Sequence, residues 1–335
     1  AVPIYLGIDG LMTMNAFEPL FWMGCAWIVM RIVRTGDSRL WLWFGVLAGL
    51  GLQNKHSTVL FGAAVLIGVV LSPVRRELGR RWIWLGAGLA LLIFLPNILW
   101  QAAHDFPTLE DLGNVRRMGK NVVLSPGDFM AQQVLIMHPA LLPVWLGGLS
   151  SLLFGYLKRF QVLGWTYVAL LAVMIVLKAK NYYLAPIYPM LFAAGGVAAE
   201  WWLDRLRVTS ERLWPRAAVL AWVAITGAVF APMFLPILPP DGFVRYQERL
   251  GLAPPKTEVA HVGPLPQYFG DQFGWPELAQ EVADIYLSLP PEERARTGIF
   301  ASNYGEAGAI HLFGPALGLP PAICAHQNHW FWGPP

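Results

Sequence analysis

Charge is what this sequence has least of. Of its 335 residues only 13% are charged, where a soluble globular domain carries roughly 25%. Cysteine is nearly absent too: Cys25 stands in an apolar run and Cys324 near the far end. Two such residues make no disulfide framework and no CxxC metal site. No P-loop, no GxGxxG and no GxSxG occurs in a fitting context, which argues against a nucleotide-driven pump or a serine hydrolase. The sequence has no internal repeat and no low-complexity segment. Its basic residues sit in short turns between apolar runs, so nucleic acid is not a credible partner. The first residue is Ala1, with no basic n-region before an apolar core, so no signal peptide is expected within these residues. The expectation is a chain that begins inside a larger protein, with Val2–Gly10 as the tail of an earlier helix.

What remains is apolar. Hydrophobic residues make up 56% of the chain, mean hydropathy is +0.48, and there are 16 tryptophans. Many of the indoles stand near the ends of apolar runs, where such rings favour the headgroup region. Eight apolar stretches follow one another, at about 17–33, 40–53, 57–71, 82–99, 130–153, 161–177, 184–203 and 217–236. A membrane-crossing helix needs roughly 20 such residues, and six stretches are long enough or nearly so. The pair 40–53 and 57–71 is short and reads as a hairpin whose polar tip, Gln53 to Ser57, stops below the far surface. Polar backbone at that depth is tolerated only against protein or a wet cavity.

Loop charges predict the orientation. Arg31, Arg34 and Arg39, then Arg75, Arg76, Arg80 and Arg81, then Lys158 and Arg159, then Arg205, Arg207, Arg212 and Arg216 place positive charge in every second loop. The positive-inside rule makes those loops cytoplasmic. The loops at 54–56, 101–129 and 178–183, and everything after about 237, are then outside. The predicted domains are a transmembrane region, 1–236, and an extracytoplasmic α/β domain, 237–335, expected to be incomplete. The tail opens with Pro232, Pro236, Pro239, Pro240 and Pro254-Pro255. A helix follows at Pro276–Ser288, with Leu278, Val282, Ile285 and Tyr286 on its apolar face. Short strands are predicted at Gly298–Ala301 and near Pro321–Ala325, with a helix opening at Asn303 between them. Helix alternating with strand points to a small α/β layer.

Ionisable groups within or at the edge of membrane helices are costly and therefore functional candidates. Glu18 stands at the outer end of an apolar helix among Phe17, Phe21 and Trp22. It is either a carboxylate facing a cavity or a solvated one in the first turn. Lys55 and His56 cap the short hairpin. A lysine sheltered there calls for an anion, either a lipid phosphate or a carboxylate, unless it snorkels to the interface. Lys178, Lys180, Tyr182 and Tyr183 combine ammonium and phenol donors suited to a phosphate oxyanion. Arg116 and Arg117 in the long outer loop are candidate anion clamps, on a stretch whose Leu109, Leu112 and Val115 predict a helix lying on the membrane surface. His104, Asp105 and Glu110 match no zinc spacing. No metal site is assigned, and a divalent requirement stays open. His311, His326 and His329 read as surface or structural histidines.

The runs MNAFEPLFW, GLGLQNKHS, FLPNILWQ with HDFPTLE, MHPALLPVWLGGL, KAKNYYLAPIYPMLFAAG and ASNYGEAGAIHLFGP resemble bacterial family 39 glycosyltransferases. That group includes the protein O-mannosyltransferases and the lipid A aminoarabinose transferases of cell-envelope and lipopolysaccharide synthesis. The resemblance covers almost the whole chain. It implies an all-α polytopic membrane fold of the GT-C type in the bacterial inner membrane. It also implies transfer of a sugar, with inversion, from a polyprenyl-phosphate carrier to an extracytoplasmic lipid, glycan or protein acceptor. It aligns Glu18 with an acidic residue lining the sugar cavity and Lys55 with a cavity lysine. Tyr183 aligns with a tyrosine near the carrier phosphate, and Arg117 with a carrier-binding arginine. The family's catalytic Asp falls in an outer loop that would precede residue 1, and Glu18 does not replace it. The rival reading is a polytopic transporter or lipid flippase, which explains the long outer tail less well. A non-catalytic scaffold has no use for the Lys-Ala-Lys-Asn-Tyr-Tyr loop.

Overall fold

The computed structural model describes residues 2–205, 214–251 and 263–333. Arg207 and Arg212 of the last basic loop and the Pro254-Pro255 stretch lie outside the described residues. The chain opens with α1 (Pro3–Asp9) and α2 (Met14–Thr35), followed by the short α3 (Trp41–Asn54) and α4 (Thr58–Val70). Next come α5 (Arg81–Ala103), α6 (Pro107–Arg117), α7 (Pro126–Ile136), α8 (Leu142–Leu153) and α9 (Gln161–Val176). A 3-10 segment, Asn181–Ile187, leads into α10 (Tyr188–Arg205), and α11 (Trp214–Phe230) ends the apolar part.

Among the described residues five helices are long and apolar enough to cross a membrane, or up to seven if two bent pairs each count as one span. The helices start and stop where backbone chemistry dictates. Thr13 caps α2 by accepting from the Asn15 N–H, and Gly36 ends it in the left-handed region, φ 71°, where a residue with a Cβ is strained. The stretch 130–153, expected as one span, is broken: Pro126–Ile136 and Pro139–Leu153 meet at 95°. Pro139 has no N–H to continue the helical ladder, and His138 before it sits at φ 76°.

The packing pairs α3 with α5, α8 with α10, α4 with α9 and α2 with α3. Lipid provides little drive for apolar faces to associate, so helices pack closely where residues are small. A Cβ on Gly45 would collide with the Gly86 carbonyl, and one on Gly148 with the Leu191 carbonyl. The core between these pairs holds fully buried Trp22, Trp145, Tyr167 and Tyr188. The Tyr167 and Tyr188 hydroxyls share one hydrogen bond at 3.0 Å. At the basic end, Glu77 is buried and bonded to the Trp41 indole, 3.3 Å, while Arg80 donates to Ser38, 2.6 Å.

The tail contains α12 (Pro240–Arg249), α13 (Gln267–Gly270), α14 (Trp275–Ser288), α15 (Pro291–Arg294), β1 (Phe300–Ala301), α16 (Tyr304–Phe313), β2 (Ile323–Cys324) and α17 (Asn328–Trp332). Tyr268 donates to the Met233 carbonyl at 2.8 Å, tying α13 to the turn after α11, and burial raises its pKa. β1 and β2 pair in parallel, Phe300 opposite Ile323 and Ala301 opposite Cys324. The expected α/β layer is thus, among the described residues, one pair of two-residue strands beside helices. Their core comes from Ala279, Ala283, Ala307, Ile310 and Cys324. One expected core residue is corrected: Leu278, Val282 and Tyr286 pack there, but Ile285 is 68% exposed, and the small Ala279 and Ala283 face inward instead. Asn303 caps α16 through its side chain to the Gly305 and Glu306 N–H groups. Cys25 and Cys324 are free and buried.

Candidate functional site

The site is built where the short hairpin turns back. At the tip the Asn54 amide donates to the Met14 carbonyl at 2.9 Å, and Gln53 donates to the Ile93 carbonyl of α5 at 2.7 Å. These two bonds fix the tip between the first turn of α2 and the middle of α5. Ile93 stands about 18 Å along the axis from Arg81, and Trp100 about 10 Å beyond it. The hydrocarbon core is about 30 Å thick, so the tip ends inside the level of Trp100.

At that depth Lys55 and Glu18 form an ion pair, Nζ to Oε2 at 2.8 Å, with side-chain exposures of 10% and 2%. Glu18 is not the solvated carboxylate of the second reading: it is buried and paired with Lys55. The anion that Lys55 requires is, in this state, the Glu18 carboxylate. Asn15 Oδ1 accepts a second ammonium proton at 2.8 Å, and the Ser57 hydroxyl donates to Glu18 Oε1. The ammonium also lies over the Tyr183 ring, 4.3 Å from its centroid, with Tyr182 farther at 5.9 Å. A buried ammonium held by a carboxylate, an amide oxygen and a ring face cannot drift, which is the preorganisation that an electrostatic site needs.

The Tyr183 side of the cluster is fixed just as firmly. Asn181 donates to Gln132 at 2.6 Å, and fully buried Gln133 donates to the Asn181 carbonyl at 2.8 Å. Tyr5 of α1 donates to the Ala185 carbonyl at 2.7 Å. Lys180 caps this segment, its carbonyl accepting from the Tyr183 N–H at 3.1 Å, and Lys178 precedes it at φ 53° on the surface. Of the three lysines, only Lys55 contacts the Glu18 carboxylate; Lys178 and Lys180 belong to the loop that leads into the Tyr182-Tyr183 segment.

The structure brings together Glu18, Lys55, Tyr182 and Tyr183, with Lys178 and Lys180 on the adjoining loop. His56 points away, exposed, its ring edge on Phe94 at 5.4 Å. Arg117 is exposed at the end of α6 and bonded to Asn114 at 2.5 Å, apart from the Lys55 cluster. The α6 helix buries none of its residues and leaves Leu109 and Leu112 exposed, as a helix lying on a membrane would. His104 stacks on Trp100 at 4.4 Å. Among the described residues no group of three or more His, Cys, Asp or Glu could hold a metal ion. Sequence reasoning missed Asn15, Ser57, Gln132 and Gln133. Only the polar pair Gln132-Gln133 inside an apolar run offered a signal.

A family model described as dolichyl-phosphate-mannose-protein mannosyltransferase matches residues 1–100. No curated protein and no solved structure matches the chain. The matched stretch contains Glu18, Asn15, Lys55 and Ser57, four of the residues that form the buried cluster. The match and the apolar helices together support a membrane glycosyltransferase of the GT-C type.

Proposed function

We propose that this protein takes a sugar from a polyprenyl-phosphate carrier and transfers it, with inversion, to an acceptor on the extracytoplasmic face of a bacterial inner membrane. An acceptor hydroxyl attacks the anomeric carbon as the bond from that carbon to the phosphate oxygen breaks. Polyprenyl phosphate leaves with the electron pair, and a general base takes the hydroxyl proton. We place that base, following the resemblance, on an Asp in an outer loop preceding residue 1. The leaving phosphate gains charge as the bond breaks, so fixed cations lower the barrier more than they tighten binding of the carrier.

The observation that carries this reading is the Lys55 ammonium, buried in a membrane region and held in place from three sides. Glu18 and Asn15 act as positioning residues, Tyr183 supplies the ring beneath the ammonium, and Lys178 and Lys180 on the adjoining loop are further cations for the carrier phosphate. The test uses full-length protein in proteoliposomes with a panel of polyprenyl-phosphate sugars and a membrane extract as acceptor. Release of free polyprenyl phosphate that depends on the acceptor supports the reading. Carrier that crosses the bilayer with its sugar still attached supports a flippase instead.

A further inference from the structure

Beyond the bonds that tie its first helices to the end of α11, the tail reaches α5 through an aromatic contact. Phe331 of α17 packs edge-on against Trp100, 5.4 Å between centroids, and against His104, 5.2 Å. Trp100 lies about 28 Å along α5 from Arg81, close to the full thickness of a hydrocarbon core of about 30 Å. The Phe331 contact therefore fixes the depth of α17 at the outer boundary of the bilayer. On either side of Phe331, Trp330 and Trp332 are 68% and 67% exposed. Two bare indoles facing water are unfavourable, whereas the headgroup region takes both the ring and its N–H. Nothing in α17, Asn-His-Trp-Phe-Trp, carries a carboxylate that an anionic leaflet would repel. The helix is also coupled to the domain behind it. His329 lies 4.5 Å from the Trp332 ring and 5.4 Å from the His311 ring of α16.

We propose that α17 is an interfacial anchor, with Trp330 and Trp332 inserted among phospholipid headgroups, and that it seats the α14–α16 domain on the bilayer surface. The occupant of this aromatic face is lipid, because the contact with α5 places the face at lipid depth. The anchor does not depend on the glycosyltransferase reading and is tested without activity.

The full-length protein in nanodiscs, with Cys25 and Cys324 replaced by alanine, takes an environment-sensitive dye at Trp330→Cys or Trp332→Cys. Lipids brominated high on the acyl chain are expected to quench both dyes about twofold, and to leave a dye at Glu292→Cys, on exposed α15, unchanged. A second experiment keeps both native cysteines and places a photoactivatable phenylalanine analogue at 330. Phospholipid adducts are expected. Absence of quenching at both positions, or crosslinks that join two protein copies in place of lipid adducts, would overturn the anchor.

Discussion

Removing Lys55 or Glu18 alone leaves the other charge buried without its partner, which typically costs about 3–5 kcal/mol. Lys55→Met and Glu18→Gln are each expected to lower the thermal midpoint in detergent clearly. The double variant should recover most of that loss, because it removes both charges together. Additive losses in thermal melts would mean that the pair is not coupled as the 2.8 Å contact implies. The Tyr183 ring, rather than its hydroxyl, faces the ammonium. Tyr183→Phe should therefore retain more of the Lys55-dependent stability than Tyr183→Leu, and equal melts for the two would contradict the ring's role. Glu18 and Lys55 were each legible in the sequence as costly charges in apolar surroundings. Their pairing was not, because contact across a hairpin leaves no local spacing to read. Asn15 and Ser57 were invisible for a simpler reason: small polar residues at helix ends have an ordinary capping role.

At the scale of elements, close helix contact separates two adjacent glycines. Gly148 faces the Leu191 carbonyl of α10, whereas a Cβ on Gly147 meets nothing within 4 Å. Gly148→Ala is expected to shift α8 away from α10 and lower stability by about 1–3 kcal/mol, the usual range for overpacking. Gly147→Ala should be neutral or slightly stabilising, since Ala favours the helix. Thermal melts of the two purified variants check this, and an equal loss for both would contradict the packing. Helix positions were largely readable because long apolar runs and basic turns mark them. The bend between α7 and α8 was not read, although His138-Pro139 was in view. A proline early in an apolar run is compatible with a kinked span or a break, and tertiary packing decides between them.

For the whole molecule, the ends of the helices sort into two sets. Ser38, Glu77 and Arg80 meet at one end; Met14, Asn54, Trp100 and Phe331 belong to the other. Alternating basic loops predict that the first set is cytoplasmic. Cysteines placed at Arg76 and Lys158 should then resist an impermeant thiol reagent in intact cells, and cysteines at Glu110 and Glu277 should react. Labelling at Arg76 in sealed cells would reverse the orientation. In the tail the helices α14 and α16 and both strand positions were legible from capping and periodicity, whereas α12, α13, α15 and α17 were not. How little sheet they form was not, since two-residue strands differ from longer ones only in the partners that the rest of the chain supplies.

The proposed mechanism turns on a preorganised Lys55 that stabilises a carrier phosphate as it leaves. Single-turnover sugar transfer from purified polyprenyl-phosphate sugar by the full-length protein tests it most directly. Lys55→Ala should lower the rate of the chemical step by about 10²–10³, well beyond any loss of carrier affinity, in protein shown by its melt to remain folded. Lys158→Ala, at an exposed position in a basic turn, should transfer at the normal rate. A near-normal single-turnover rate for folded Lys55→Ala would contradict the claim and remove Lys55 from the mechanism.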